Sequence, residues 1–262
     1  MNPPAAPTHP STPAIRTALS VNVNKVALVR NTRHLGIPSV ARAALQCLEA
    51  GAQGITVHPR PDGRHIRSSD VYELAELLQS WPEAEFNIEG NPTQNLMDFI
   101  RQVRPQQATF VPDSEDQFTS DHGWSFPQDA QRLRPLIAEC RSLGVRVSLF
   151  MDPLPEHMAA AKAVGADRIE LYTGPWADAF AAGAPHSVLP AFVATAERAR
   201  RAGLGVNAGH DLSQANLGPF LDALGRVDEV SIGHALIDEA LYEGLETTVR
   251  RYVRIVERAA VA

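Results

Sequence analysis

The sequence predicts one α/β domain, a closed (β/α)₈ barrel of the TIM type, and three observations predict it. Short apolar runs rich in β-branched residues alternate with longer helical patterns, and there are eight such units. The connections between them are mostly short, as in parallel sheets whose strands are joined by crossover helices. The length of 262 residues and the 44% hydrophobic content suit one large core.

Each unit begins with a predicted strand. The strands cover residues 19–24, 53–58, 85–89, 107–112, 145–152, 167–172, 204–209 and 228–233. Helical patterns follow the first four strands over 38–51, 68–80, 93–103 and 128–143, and helical stretches follow the other four. Several helices end in a glycine just before the next strand, at Gly51, Gly144, Gly165 and Gly203, which favours a left-handed helix stop. A doubly wound open sheet is the alternative, but the first strand lacks a glycine-rich turn after it.

The rest of the chain sets the context of the barrel. Residues 1–17 are rich in proline and are predicted to be a disordered leader, with the barrel over 18–262. Segments 113–126 and 173–187 follow the fourth and sixth strands and are predicted to be long loops that act as lids.

No targeting signal or long apolar run is present, so we expect a cytoplasmic protein that binds no membrane. The net charge of -6 argues against a nucleic-acid partner. Cys47 and Cys140 fall in helical stretches and are predicted to be buried thiols.

Polar side chains gather at the carboxyl ends of the predicted strands, where barrel enzymes build their sites. They are Asn22, Asn24, His58, Arg60, Glu89, Asp152, Glu170, Asn207, His210 and His234. Any one of them alone is readily explained as a structural residue. Three histidines and two glutamates at one rim favour an enzyme instead.

These residue types suit the transfer of protons to and from anionic substrates. Histidine and a glutamate of raised pKa exchange protons near neutral pH. Lys25, Arg33 and Arg60 are cations on the same face. Gly233 and His234 follow the eighth strand, where a helix terminus commonly holds phosphate. The sequence therefore predicts phosphorylated substrates.

Three other chemistries have weaker support in the sequence. His58, Glu89, His210 and His234 are metal-ligand types, but no His-x-His pair or HExxH motif groups them, so no metal is predicted. Neither cysteine lies near a strand end and no GxSxG motif is present, which argues against a thiol or serine nucleophile. Lys25, at the end of the first predicted strand, remains open as a Schiff-base lysine.

The motifs resemble those of the pyridoxine 5′-phosphate synthases, from about Ser20 to the last helix. The resemblance is carried by VNVNKVALVRN, GITVHPRPDGRHI, FNIEGNPT, VSLFMD, GADRIELYTGPWA, GVNAGHDLS and SIGHALI, in this order. It implies a TIM barrel that condenses 3-amino-2-oxopropyl phosphate with 1-deoxy-D-xylulose 5-phosphate to pyridoxine 5′-phosphate, inorganic phosphate and water. It also implies no metal or organic cofactor, and a homo-octamer.

The resemblance further implies a role for each matching residue. His58 and Glu89 would be general bases, His210 the general acid, and Glu170 a stabiliser of a cationic transition state. Arg60, His65 and Thr119 would bind the deoxyxylulose phosphate, and Asn22 and Arg33 the amino ketone phosphate. Gly233 and His234 would bind phosphate.

The chain departs from the family pattern at two places in this predicted site. Asn24 and Lys25 stand where many members have Asp-His, and Asp211 stands where many have Gly. We expect Asn24, Lys25 and Asp211 to alter substrate binding. These changes leave two alternatives open, a barrel enzyme acting on another phosphorylated amine or ketone and a barrel that only binds one. Retention of His58, Glu89 and His210 favours catalysis.

Overall fold

The structure is a computed structural model that describes residues 17–259, in which eight parallel strands close into a barrel. The strands are β1 (Ala18–Asn22), β2 (Gly54–Val57), β3 (Glu85–Gly90), β4 (Gln107–Phe110), β5 (Arg146–Met151), β6 (Arg168–Tyr172), β7 (Gly205–His210) and β8 (Glu229–Ile232). Each strand pairs with the next in chain order, and β8 pairs with β1. The predicted fold class is confirmed.

Helices surround the barrel. They are α1 (Asn24–Asn31), α2 (Val40–Glu49), α3 (Ser68–Leu78), α4 (Leu96–Val103), α5 (Ala130–Ser142), α6 (Met158–Ala163), α7 (Gly174–Ala181), α8 (Leu189–Arg201), α9 (Leu217–Leu224), α10 (His234–Glu243) and α11 (Leu245–Ala259). The four predicted glycine stops all have positive φ, as a left-handed helix end requires. Cys47 and Cys140 are buried and free, as predicted, and burial raises the pKa of each thiol to about 12.

The strands alternate between apolar residues that face the helices and polar residues that face the barrel axis. Leu19 and Val21 are fully buried under the helices, whereas Ser20 between them lies within 2.7 Å of the Thr56 hydroxyl. The contacts continue around the axis, since Asn87 donates to Thr56 at 3.3 Å and Thr109 donates to Asn87 at 3.1 Å. The interior of this barrel is therefore polar, whereas most TIM barrels fill it with branched apolar residues.

The amino-terminal end of the barrel interior holds a second polar network. Gln107 donates to Glu229 at 3.1 Å, and Arg168 lies 3.4 Å from the same carboxylate. Asn207 donates to Gln107 at 3.3 Å. Burial raises the pKa of Glu229 to about 7, although the charge of Arg168 opposes the rise. A buried polar group needs such partners, so this network fixes the strands that position the opposite rim.

The segment after the first strand differs from the prediction. Residues 19–24 were predicted as one strand, but β1 ends at Asn22 and α1 begins at Asn24. The Asn22 side chain accepts a hydrogen bond from the Asn24 backbone N–H at 3.0 Å, which turns the chain out of the strand. Lys25 therefore lies in the first turn of a helix and not at a strand end.

The prediction of a long loop over 173–187 is also wrong. This segment contains α7, followed by a 3₁₀ turn over Pro185–His186–Ser187. Pro175 in the first turn favours the helix, because its fixed φ suits that position. Trp176 then anchors α7 to the core, where its ring centroid lies 5.6 Å from that of Phe220.

The other predicted loop is present. Residues 111–129 connect β4 to α5 without a helix or strand, and this segment is called the β4–α5 loop below.

Of the predicted leader, residues 1–16 lie outside the described residues. Thr17 is buried and its hydroxyl donates to the Val227 carbonyl at 2.8 Å. Within residues 17–259, none of the helices has the length and apolar content that a membrane crossing requires.

Candidate active site

A cavity of about 530 Å³ opens at the carboxyl ends of the strands. This volume lies within the range of small-ligand sites. Its walls come from all eight strands or their ends, from the starts of α1 and α10, and from the β2–α3 and β4–α5 loops. The lining residues are Asn22, Asn24, Lys25, Leu28, His58, Arg60, Arg64, His65, Glu89, Val111, Phe118, Thr119, Ser120, Phe150, Glu170, Tyr172, His210, Asp211, Ser231, Gly233 and His234.

Glu89 lies deep in the cavity, near the end of β3. Its Oε2 lies 4.0 Å from His58 Nδ1 and accepts from the Asn22 amide at 3.5 Å, while Oε1 accepts from Ser231 at 3.5 Å. Burial, together with the charges of Glu229 and Asp113, raises the pKa of Glu89 to about 8. A carboxyl group of such pKa can both give and take a proton near neutral pH.

Glu170 is the second buried carboxyl group and comes from β6. Its Oε2 accepts a hydrogen bond from Thr109 at 3.4 Å. Burial, and then the neighbouring Glu89 and Glu229, raise the pKa of Glu170 well above its ordinary value. Gly209 on β7 provides the space for this side chain, because a Cβ at that position would overlap Glu170 Oε1.

Two histidines, His58 at the end of β2 and His65 in the β2–α3 loop, are held as neutral imidazoles. Burial and the charge of Arg60 lower the pKa of His58 well below its ordinary value, and they lower that of His65 to about 4. The backbone N–H of His58 donates to the Asn24 side chain at 3.0 Å, so Asn24 fixes the strand end that carries His58. A neutral imidazole in this place can accept a proton from a bound molecule.

Cations gather on the side of the cavity formed by the β2–α3 loop. Arg60 forms a buried ion pair with Asp113, and Arg64 donates to the carbonyl oxygens of Gln117 and Phe118 at 3.0 and 2.9 Å. Both arginines thereby hold the β4–α5 loop over the cavity. Lys25, in the first turn of α1, is half-buried and lines the same cavity, and among the described residues no carboxylate pairs with it. These positive charges suit an anionic ligand.

His210 ends β7 and approaches the β4–α5 loop. Its Nε2 lies 3.1 Å from the Thr119 hydroxyl and its Nδ1 lies 2.6 Å from Asp211 Oδ2. The ring also meets Tyr172 edge-on, with centroids 5.2 Å apart. The loop therefore completes this part of the cavity.

The eighth strand leads into α10, whose amino terminus faces the cavity. Gly233 is the N-cap residue and His234 the first residue of the helix. A Cβ on Gly233 would lie 3.1 Å from Asn22 Cβ, so the chain passes close to β1 at this point. Free backbone N–H groups and the helix dipole make such a terminus suitable for phosphate.

Of the fourteen residues that the sequence analysis gives a catalytic or substrate-binding role, thirteen line this cavity and Arg33 does not. Arg33 lies eight residues beyond Lys25, on the exposed segment after α1. The substrate-binding role of Arg33 stays a prediction.

Sequence reasoning missed several lining residues. Tyr172 and Ser231 lie on strands at positions that the inward alternation would have identified. Arg64 lies within the HPRPDGRHI motif but carried no signal of its own. Phe118 and Ser120 come from the β4–α5 loop, and no periodicity predicts how a loop folds over a site. Within residues 17–259 no three His, Cys, Asp or Glu side chains converge as metal ligands would.

Comparisons with known proteins agree with the motifs. Residues 19–258 match the family described as pyridoxal phosphate biosynthesis protein PdxJ. A pyridoxine 5′-phosphate synthase of Albidiferax ferrireducens is 62% identical over 245 residues, which cover 92% of this chain and 97% of that protein. The synthase of Xylella fastidiosa strain M23 is 56% identical, covering 92% and 95% of the two chains. That of Xanthomonas oryzae pv. oryzae strain PXO99A is 55% identical, covering 94% and 98%.

Solved structures of more distant proteins share the fold alone. Thiamine phosphate pyrophosphorylase from Pyrococcus furiosus superposes with a TM-score of 0.60 at 15% identity, covering 94% of this chain and 98% of that one. Tryptophan synthase from M. tuberculosis superposes with a TM-score of 0.63, also at 15% identity, covering 93% of each chain.

Proposed function

This chain belongs to the pyridoxal phosphate biosynthesis protein PdxJ family and is an enzyme, and we propose that, as a pyridoxine 5′-phosphate synthase, it condenses 3-amino-2-oxopropyl phosphate with 1-deoxy-D-xylulose 5-phosphate. The products are pyridoxine 5′-phosphate, inorganic phosphate and water. The observation that carries the proposal is the cavity itself, in which two carboxyl groups of raised pKa, a neutral imidazole and His210 surround one volume. Imine formation, loss of phosphate and ring closure each require protons to move, and these groups differ enough to act separately.

The charges of the cavity support two phosphorylated substrates. A pKa of about 8 keeps Glu89 mainly protonated at neutral pH, and the raised pKa of Glu170 favours its neutral form too, so the two groups add little negative charge. Lys25, Arg60 and Arg64 then make this part of the cavity cationic. The amino terminus of α10, beside the end of β1, offers a separate phosphate subsite.

The proton-transfer roles follow from the state of each group. His58 is neutral in the free protein and takes a proton from the substrate amine or from a carbon next to a carbonyl. Glu89 becomes a strong carboxylate base once it loses its proton, because burial makes that proton hard to remove. Glu170 faces the same volume and, when ionised, stabilises a cationic transition state. His210 donates a proton to a departing oxygen.

The substrate contacts follow the same geometry. Arg60, His65 and Thr119 line one side of the cavity and are assigned to the deoxyxylulose phosphate. Asn22, Gly233 and His234 lie together at the ends of β1 and β8 and are assigned to the amino ketone phosphate. Asn24 and Lys25 line the same cavity at the start of α1. No cofactor is needed for these steps.

A paired experiment tests the assignment of His58. Release of inorganic phosphate is measured with both substrates and with each one alone, for the wild type and for two histidine variants. We expect release only with both substrates, and a loss of about 10²–10⁴-fold in kcat for His58→Asn. His186→Asn, which changes an exposed histidine far from the cavity, is the control and should behave as wild type. Equal rates for the two variants would remove His58 from the mechanism.

The proposal extends to assembly and location. Leu35, Ile37, Leu241 and Tyr242 are 63–85% exposed, which is unusual for side chains of this size. We infer that such surfaces are covered in a homo-octamer, and light scattering of the purified chain measures its mass directly. We also place the protein in the cytoplasm, with no nucleic-acid or membrane partner. Cell fractionation tests the location.

A further inference from the structure

Asp211 lies beside His210, the candidate general acid, although its negative charge does not suit a site for phosphorylated substrates. A carboxylate repels phosphate, so Asp211 is a poor ligand for either phosphorylated substrate. Its Oδ2 instead lies 2.6 Å from Nδ1 of His210. The hydrogen bond from His210 lowers the pKa of Asp211, and the nearby charges of His210, His234 and Lys25 act in the same direction.

The protonation of the pair follows from these contacts. With a lowered pKa, Asp211 is a carboxylate at neutral pH and can only accept hydrogen bonds. Nδ1 of His210 must therefore carry the hydrogen. In the neutral ring Nε2 is then bare, and it accepts a hydrogen bond from the Thr119 hydroxyl 3.1 Å away. In the imidazolium Nε2 carries the hydrogen that faces the cavity.

We propose that Asp211 is a positioning residue that holds His210 in the Nδ1–H tautomer and aims Nε2 at the substrate. When the imidazolium gives its Nε2 proton to a leaving oxygen, it becomes the neutral ring with hydrogen on Nδ1, which Asp211 already binds. No rotation or tautomer exchange is then needed between turnovers. This proposal rests on the acid role given to His210 in the proposed function.

The backbone of β7 is shaped for this contact. In a regular strand His210 would face away from the cavity, because Gly209 before it faces the axis. His210 has a φ of 98°, which is rare for a residue with a side chain and brings its ring into the cavity with Asp211. The Asn216 amide donates to the Asp211 carbonyl at 3.2 Å, which holds the chain directly after the strained residue.

The tautomer of His210 is measurable without turnover. Protein labelled with ¹⁵N in histidine gives separate nitrogen signals for Nδ1 and Nε2, and the His210 signals are those that disappear in His210→Gln. At alkaline pH we expect the wild type to show hydrogen on Nδ1. In Asp211→Ala we expect a shift toward the Nε2–H form. Asp152→Ala is the control, since Asp152 accepts from the Gly123 backbone at the same rim but lies outside the cavity.

Kinetics separate positioning from substrate binding. We expect Asp211→Ala to lower kcat about tenfold or more, a part of what a general acid contributes, while KM stays within about threefold. Asp211→Leu removes the acceptor while keeping most of the side-chain volume, and it gives the same comparison if the alanine variant does not fold. Hydrogen on Nε2 in the wild type, an unchanged tautomer in the variants, or a rise in KM alone would overturn the proposal. If the wild type forms no product, the proposed function fails, and the tautomer measurement still decides this inference.

Discussion

Replacing Glu89 with Gln should abolish synthesis and yet stabilise the fold, because burial disfavours the ionised form that this carboxyl group would otherwise take at neutral pH. The ordinary pKa of 4.5 is raised to about 8 in the folded protein. Below about pH 4.5 the group is protonated in both the folded and unfolded states and costs nothing. As the pH rises toward 8, the unfolded chain loses this proton while the folded chain keeps it, so stability falls.

The size of the effect follows from that pH interval. Each pH unit between the two values costs about 1.4 kcal/mol, so Glu89 destabilises the fold by about 3 kcal/mol at neutral pH. Gln occupies nearly the same volume and never ionises; its one oxygen can accept from Asn22 while its amide nitrogen donates to the Ser231 hydroxyl. We expect Glu89→Gln to unfold roughly 6–12 °C above the wild type at neutral pH, and the difference to vanish near pH 4.5.

The assay is thermal unfolding followed by circular dichroism at several pH values and one fixed protein concentration, since assembly would change the midpoint. Glu156→Gln, at an exposed glutamate on the outer surface, is the control and should show no pH-dependent gain. A Glu89→Gln variant that gains no stability as the pH rises would refute the argument from burial. One that makes product at the wild-type rate would refute the catalytic role.

Three further variants test other parts of the site. Lys25→Met should raise KM for a phosphorylated substrate by about 10- to 100-fold, because it removes a positive charge from the cavity. Stability should not fall, because the ammonium has no carboxylate partner among the described residues. A change in kcat alone would contradict this prediction. Gly209→Ala should displace Glu170 and cost about 1–3 kcal/mol of unfolding free energy together with most of the activity, as denaturation and turnover would reveal. Arg64→Ala should release the β4–α5 loop, raising KM and speeding hydrogen exchange in that loop, and unchanged exchange would count against its tethering role.

The barrel was predictable because each strand carries its own local signal. Apolar residues alternate with polar ones along the strands, and glycines such as Gly51 and Gly165 end the helices at positive φ. The carboxyl ends of parallel strands must meet at one rim, so the strand-end residues His58, Glu89 and Glu170 had to lie near one another.

Other parts of the site depend on contacts that no local pattern records. The segment Asn24–Asn31 was not predicted as a helix, because the signal that starts it is the side chain of Asn22 bonding to the next turn. The pairing of Asp211 with His210 depends on one unusual φ value, which composition cannot indicate. Arg64 holds a loop through backbone carbonyls, whose positions are set only by the folded chain.

The central claim is that this rim joins two phosphorylated substrates into a ring by proton transfer alone. The most direct measurement incubates the purified wild-type chain with 3-amino-2-oxopropyl phosphate and 1-deoxy-D-xylulose 5-phosphate in the presence of a metal chelator and identifies the products by mass and absorbance. We predict pyridoxine 5′-phosphate, formed together with an equal amount of inorganic phosphate. Folded protein that forms no pyridoxine 5′-phosphate under these conditions, or forms it only when metal is restored, would contradict the account.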